Sequence, residues 1–133
     1  MSTRCDIVIK DYWMQGGVKY KKNLLLYHHY DGYPEGVGKY LMEKIYPLLI
    51  KSNNIDCDIV ANKLIKDKED NEYEITVYTH TDIEYRYVIE IPMKKIFCYA
   101  CHYSWKGDSR KFVKDKEIDL TPFLPQTMKK SYA

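Results

Sequence analysis

Hydrophobic and polar residues alternate near the start of the chain. The stretch RCDIVIKD places Cys5, Ile7 and Ile9 on one side and mostly polar residues on the other, a period of two that predicts a half-buried β-strand. After Gly16 and Gly17, the stretch VKYKKNLLLYHHY predicts a second strand. Because paired glycines favour a tight turn, the two strands are predicted to form an antiparallel hairpin.

The period lengthens after the second strand, which predicts helices. One buried helical face is predicted by apolar residues at intervals of four, four and three: Val37, Leu41, Ile45 and Leu48. Pro34 suits the first turn of this helix, and Pro47 is expected to end or kink it. Asp31 or Tyr33 is expected to lead into the helix, with Asp31 the better capping residue chemically. A shorter second helix through IVANKLIKDK is predicted to be capped by Asp56 or Asp58.

Alternation returns in the second half of the chain. EYEITVYTH and IEYRYVIEI each predict a strand, the short TD between them suits a tight turn, and IFCYACHYSW predicts a fifth strand. The three strands are expected to pair in sequence as a meander. Residues 106–117 are charged without a period and predict a loop, whereas IDLTPFLP predicts an apolar segment that folds back on the sheet. We therefore expect an α+β fold, with an antiparallel sheet of about five strands and two helices inserted after the second strand and packed on one face. Residues 1–133 are expected to form a single domain, with residues 105–133 as a peripheral loop and C-terminal segment.

Composition narrows the classes of protein. The net charge of +2 is too small to indicate a general nucleic-acid binder. No apolar run approaches the roughly 20 residues of a membrane span, and the N-terminus meets charge before any apolar core. We therefore expect a cytoplasmic protein with no membrane partner. The 14 tyrosines indicate either a sheet core with polar edges or a surface that stacks on bases or binds protein.

The four cysteines are expected to be free thiols. Cys98, Cys101 and His102 form the bare pattern for haem attachment, but they lie in a predicted strand, where residues three apart point to opposite faces. Cys5 and Cys57 are isolated in sequence, which disfavours a zinc site. The sequence therefore predicts neither a cofactor nor a metal, with Cys5 and Cys101 largely buried on strand faces.

The block YHHYDGYPEGVGKYL, residues 27–41, is the first candidate functional site. Gly36 and Gly38 in the first helical turns would expose backbone N–H groups to an anion, or would let the helix pack closely on the sheet. Neither the Walker nor the dinucleotide fingerprint is present, and Glu35 would repel a phosphate. Both interpretations of the glycines stay open.

A second candidate lies in THTDIEY. His80 and Asp82 flank the predicted turn, and Glu84 follows two residues later on the strand. Together with His28, His29 and Asp31 from the end of the second strand, these side chains offer enough ligands for a metal or an acid–base pair. The same residue types are also ordinary turn formers and surface charges, and the sequence assigns no catalytic residue.

Three sequence blocks carry a resemblance: MSTRCDIVIKD, YHHYDGYPEGVGKYL and HTDIEYRYVIEI. They resemble a largely uncharacterised family of small bacteriophage and prophage proteins. That family shows a Ser-x-Arg-x-x-Ile strand, a His-x-Asp-Gly-Tyr-Pro block and a later His-x-Asp-Ile-Glu-Tyr strand. The blocks cover about a third of the chain, and the segment from Trp105 onward matches nothing in the family.

The resemblance implies a viral accessory role rather than a reaction. We expect a counter-defence inhibitor of the anti-CRISPR kind that binds a host immune protein or sequesters a nucleotide second messenger, with a homodimer as a further option. The expected binding residues are His29, Asp31, Tyr33, Glu35, His80, Asp82 and Glu84, among which Tyr33 is placed to stack on a base or fill a pocket of a partner. The alternatives are a small metal-dependent or acid–base hydrolase that uses the pairs His80/Asp82 and His29/Asp31, and a structural module without a pocket.

Overall fold

The computed structural model describes residues 3–28, 31–52, 54–67, 73–76, 83–106 and 109–125. Within these ranges six strands form one sheet in the order β3-β2-β1-β4-β5-β6. The strands are β1 (Cys5–Gln15), β2 (Val18–His28), β3 (Tyr73–Thr76), β4 (Tyr85–Glu90), β5 (Lys95–Lys106) and β6 (Ser109–Ile118). All neighbouring strands are antiparallel except β1 and β4, which are parallel. The predicted α+β class is confirmed, because the sheet is mostly antiparallel and the helices follow β2.

The predicted pairing of the third and fourth strands is wrong. β3 pairs with β2, and β4 pairs with β1 on the other side of the first hairpin. An alternating pattern assigns residues to the two faces of a strand but does not choose its neighbours, which explains the error. The tight turn expected at Thr81 and Asp82 lies outside the described residues.

The structure also differs from the loop predicted over residues 106–117. β5 continues through Lys106, and β6 pairs with it antiparallel as the last strand of the sheet. The sequence SRKFVKDKEI is dense in charge, which hides a strand pattern. An edge strand pairs on one side alone, and charge on such a strand discourages further pairing.

The helical part covers one face of the sheet. Residues 34–51 form a continuous helical segment, with two π-helical turns (Pro34–Gly38 and Leu41–Ile45) followed by helix α1 (Tyr46–Lys51). Pro47 falls in the first turn of α1, so the helix changes type near Tyr46 rather than ending there. Helix α2 spans Cys57–Asp67. No helix within the described ranges is long and apolar enough to cross a membrane.

The hydrophobic core lies between these helices and the sheet. The core residues of the helical segment include four at intervals of four, namely Val37, Leu41, Ile45 and Leu49, so Leu49 replaces the predicted Leu48. The sheet contributes Ile7, Ile9, Leu26, Tyr87 and Ile89. Leu120 and Leu124 join the core beside the 3₁₀ turn Thr121–Phe123, which confirms that the terminal apolar segment folds back.

The first hairpin extends beyond the rest of the sheet. β4 pairs with residues 5–10 of β1, and β3 pairs with residues 25–28 of β2. Residues 11–15 and 18–22 therefore continue as a two-stranded ribbon about 17 Å long. We call residues 11–22 the projecting hairpin.

Candidate functional site

The block rich in tyrosine and glycine lies at the end of the sheet where β1 begins and β2 ends. The Gly32 N–H donates to the Thr3 carbonyl at 2.9 Å. The Tyr87 hydroxyl, which is buried under the helical segment, donates to the Gly32 carbonyl at 2.7 Å. These two hydrogen bonds anchor the block to the residues that lead into β1 and to β4.

Asp31 shapes the turn through its backbone. Its φ angle of 55° lies in the left-handed region, which aspartate tolerates better than most residues. Gly32, which could adopt such an angle more easily, does not have a positive φ. Gly32 is instead required by close approach, because a Cβ there would lie 2.9 Å from both Thr3 O and Cys5 Cβ.

Of the two residues predicted to lead into the helix, Tyr33 holds the cap position, and the predicted capping role of the Asp31 side chain is wrong. The Asp31 carbonyl accepts the Val37 N–H at 2.9 Å, whereas the carboxylate accepts the Tyr33 hydroxyl at 3.1 Å. Tyr33 precedes Pro34 at the start of the helical segment and makes no side-chain cap. The hydrogen bond from the hydroxyl, together with the negative charge of Asp31, raises the pKa of Tyr33.

The two glycines of the helical segment serve close packing. A Cβ on Gly36 would overlap the Asp31 carbonyl, and a Cβ on Gly38 would lie 3.1 Å from Leu120 Cδ2 and 3.4 Å from the Tyr87 ring. Neighbouring atoms of the protein therefore occupy the space beside both residues. Of the two interpretations open from sequence, this geometry favours packing over an anion site.

The expected binding residues are divided by what the structure describes. Four of them lie at the same end of the sheet, namely Asp31, Tyr33, Glu35 and Glu84. There the Glu84 N–H donates to the Arg4 carbonyl at 2.9 Å. His29, His80 and Asp82 lie outside the described residues, so their convergence stays a prediction. Within the part of the chain that the structure describes, no group of three or more His, Cys, Asp or Glu side chains is placed to hold a metal.

A groove of about 530 Å³ lies at the opposite end of the sheet. It is bordered by the projecting hairpin, by the connection between α1 and α2, and by the turn between β4 and β5. Its lining includes Asp11, Trp13, Lys22, Ile55, Asp56, Cys57, Asp58, Ile91, Pro92 and Lys94. These residues are far apart in sequence, so no local motif announces the groove.

Several charges in the groove already have partners. Lys22 Nζ lies 2.6 Å from Asp58 Oδ2, and this hydrogen bond raises the pKa of Lys22. Asp56 Oδ1 accepts the Ile59 N–H at 2.9 Å and so caps α2, as one of the two predicted alternatives had it. Burial raises the pKa of the Cys57 thiol. The Asp11 carboxylate makes no ion pair with any residue in the described ranges.

The projecting hairpin exposes large apolar side chains on both faces. Trp13 and Tyr20 lie opposite each other on the face that looks toward the groove, and their rings stack with centroids 5.8 Å apart and an interplanar angle of 16°. Their side chains remain 42% and 43% exposed. On the other face, Lys19 Nζ lies 4.5 Å from the centroid of the Tyr12 ring, and Met14 is 64% exposed.

The sequence contained a signal for this surface that alternation alone does not reveal. Trp13 and Tyr20 stand at equal distances from the Gly16–Gly17 turn, so hairpin register places their rings side by side. The two strands are also longer than the strands that flank them, so an aromatic pair near the turn must lie beyond the core. The second fact depends on how the neighbouring strands pair, which the sequence did not identify.

No protein-family model matches the chain, and neither a curated protein nor a solved structure matches it. The molecule is a small α+β protein, and the start of its helical segment is anchored at one end of the sheet. The other end carries an aromatic hairpin beside a groove. The function proposed below rests on this geometry and on the three sequence blocks described above.

Proposed function

We propose that this protein is a binding protein that docks a partner protein against the projecting hairpin and the adjoining groove. The observation that carries the proposal is the exposed Trp13–Tyr20 stack on a ribbon that extends past the core. Trp and Tyr are the residue types that most often dominate the binding energy of protein interfaces. A hairpin that contributes little to the core can carry such residues for binding rather than for folding.

The charges of the groove favour a protein over a nucleotide as partner. Three carboxylates, those of Asp11, Asp56 and Asp58, line the groove with two lysines, Lys22 and Lys94, and the positive charge of Lys22 is already paired with Asp58. The N-terminus of α2, which would otherwise attract a phosphate, is capped by Asp56. A nucleotide second messenger would bring more negative charge to this surface. Of the two expected partner classes, the groove therefore supports the protein.

The partner is a component of a bacterial host, and binding disables it. The resemblance of three sequence blocks to phage and prophage proteins supports this part of the proposal. Inhibition by binding requires a complementary surface and no catalytic centre, which fits the aromatic hairpin and its groove. The hydrolase alternative depends on His29, His80 and Asp82, which lie outside the described residues, and it stays a prediction.

The test begins with affinity capture from a bacterial lysate, identification of the bound protein by mass spectrometry, and calorimetry with that protein purified. We expect Trp13→Ala and Tyr20→Ala each to weaken binding at least about tenfold, or roughly 1.4 kcal/mol. Met93→Ala is the matched control, because Met93 is an exposed apolar residue of the nearby turn that does not line the groove. Thermal unfolding of each variant shows whether the fold is retained.

Unchanged affinity in both aromatic variants would contradict the proposal. The same assay tests the prediction made for Tyr33 from sequence. A tenfold loss in Tyr33→Ala, with Trp13→Ala unaffected, would place the binding surface at the helical block instead.

A further inference from the structure

The projecting hairpin has two open edges. In the part of the chain that the structure describes, no strand pairs with residues 11–15 of β1 on the β4 side, or with residues 18–24 of β2 on the β3 side. The last backbone bond on the β4 side joins the Ile91 N–H to the Lys10 carbonyl at 3.0 Å. Beyond it the chain turns away from β1 through residues 91–94.

Strand alternation identifies the backbone groups on the open edge of β1. The carbonyls of Arg4 and Lys10 both accept hydrogen bonds from the β4 side, from Glu84 and Ile91 respectively. Backbone groups of a strand point to alternate sides, so Tyr12 and Met14 direct their N–H and C=O groups to that same side. An open row of this kind is a template for a further strand.

The two edges differ in charge. The open stretch of β2, VKYKK, carries three lysines, and lysine is a common device against unwanted strand pairing. The open stretch of β1, DYWMQ, carries a single charge, that of Asp11. The edge of β2 is therefore protected, whereas the edge of β1 is not.

The groove lies where a continuation of β4 would run. Ile91 and Pro92 mark the point at which β4 leaves, and Trp13 and Ile55 line the space beside it. We infer that the partner protein binds by strand addition, with an extended segment that pairs with Tyr12 and Met14 and places side chains in the groove. This inference rests on the proposed function. The unpaired Asp11 indicates that the segment carries a basic residue among apolar ones.

A second copy of the chain is a poorer occupant of this edge. If the open edges of two copies paired with each other, DYWMQ would lie against DYWMQ. That pairing supplies two carboxylates and no basic residue. Charge complementarity therefore favours another protein.

The test uses random peptides displayed and selected on the full chain, followed by synthesis of the tightest binder. Met14→Pro removes an outward N–H from the β1 edge. Lys21→Pro is the matched control, because Lys21 lies opposite Tyr12 and directs its N–H to the other edge of the same hairpin. We expect selected peptides to combine apolar and basic residues, to bind Met14→Pro at least about tenfold more weakly, and to bind Lys21→Pro as they bind the wild type. Bound peptide should also slow hydrogen exchange at the Tyr12 and Met14 amides.

A second variant guards against misfolding. Met14→Lys keeps the backbone N–H and places a positive charge on the open edge. It should also weaken binding of the peptide, while the temperature of thermal unfolding stays unchanged. The inference is overturned if selection yields no peptide, or if the selected peptide binds Met14→Pro and Met14→Lys as tightly as the wild type. It is also overturned if sedimentation shows a dimer that Met14→Pro disrupts, since a second copy would then occupy the edge.

Strand addition and the proposed function can fail separately. If Trp13→Ala weakens binding of the captured host protein and Met14→Pro does not, the surface stands and strand addition is wrong. If Trp13→Ala, Tyr20→Ala and Met14→Pro all leave that binding unchanged, the proposed function is wrong as well.

Discussion

Tyrosine has two distinct uses in this chain, which explains its high count. Tyr27, Tyr46 and Tyr87 are fully buried, whereas Tyr12 and Tyr20 are exposed on the projecting hairpin. The sequence left open whether the tyrosines indicate a sheet core or a binding surface. The structure places tyrosines both in the core and at exposed positions on the projecting hairpin. The phenol ring suits both roles because it is largely apolar and carries one polar atom.

The first prediction concerns the hydroxyl of Tyr87. Tyr87→Phe keeps the packing and leaves the Gly32 carbonyl without its donor, so we expect a loss of about 1–2 kcal/mol in the free energy of unfolding. Burial raises the pKa of Tyr87 above its ordinary value of 10.0. The folded state therefore keeps the proton that the unfolded state releases at alkaline pH. This contribution to the free energy of unfolding is complete below pH 10.0 and decreases as the pH rises further. The stability of Tyr87→Phe should therefore decrease less over the same alkaline range.

Urea denaturation as a function of pH measures both effects. Tyr33→Phe is the control, because its hydroxyl bonds Asp31 at an exposed position and its removal should leave the denaturation midpoint unchanged. Equal effects of the two substitutions would show that the Tyr87 bond has no special role.

At the scale of elements, short-range patterns predicted the hairpin and the start of the helical segment. The Gly-Gly turn, Pro34 and the spacing of Val37, Leu41 and Ile45 act through neighbours a few residues away, so the sequence contains the whole signal. The positions of β3 and β4 depend on pairing between distant segments, which alternation leaves undetermined. The groove was missed for the same reason, since it joins residues from both halves of the chain.

The second prediction separates the two helical glycines. Gly36→Ala should cost about 2 kcal/mol or more, because its Cβ would meet the Asp31 carbonyl, and moving that carbonyl breaks the bond to the Val37 N–H. Gly38→Ala should stay within about 1 kcal/mol of wild type, since its Cβ meets the end of the Leu120 side chain and alanine favours a helix. Urea denaturation compares the two variants. A larger loss in Gly38→Ala would mean that Leu120 cannot move aside.

At the scale of the whole molecule, the parallel pair β1–β4 joins the two halves of the sheet. On the face away from the helices, Arg86 Nη2 of β4 lies 3.2 Å from Asp6 Oδ2 of β1, and the Asp6 side chain is fully buried. Removing one partner of a buried carboxylate–guanidinium pair is strongly destabilising, because it leaves the other buried charge uncompensated. This ion pair therefore supports the seam on which the single sheet depends.

The third prediction tests this seam. Asp6→Asn should lower the free energy of unfolding by about 3 kcal/mol, a typical cost for breaking a buried ion pair. Asp58→Asn is the matched control, because Asp58 pairs with Lys22 at the surface and its loss should leave stability unchanged within error. Chemical denaturation of both variants gives the comparison. Equal stabilities would mean that the Asp6–Arg86 contact contributes no more than a surface pair.

The parallel pairing of β1 and β4 also determines when the sheet can form during biosynthesis. Asp6 and Arg86 are 80 residues apart, so β1 leaves the ribosome about 4–16 s before its partner at roughly 5–20 residues per second. During that interval the nascent chain can form the hairpin of β1 and β2, but not the centre of the sheet. Pairing between strands this far apart in sequence slows folding. Until β4 emerges, the nascent chain therefore exposes the edge of β1 that β4 covers in the folded sheet, and this edge is open to other nascent chains.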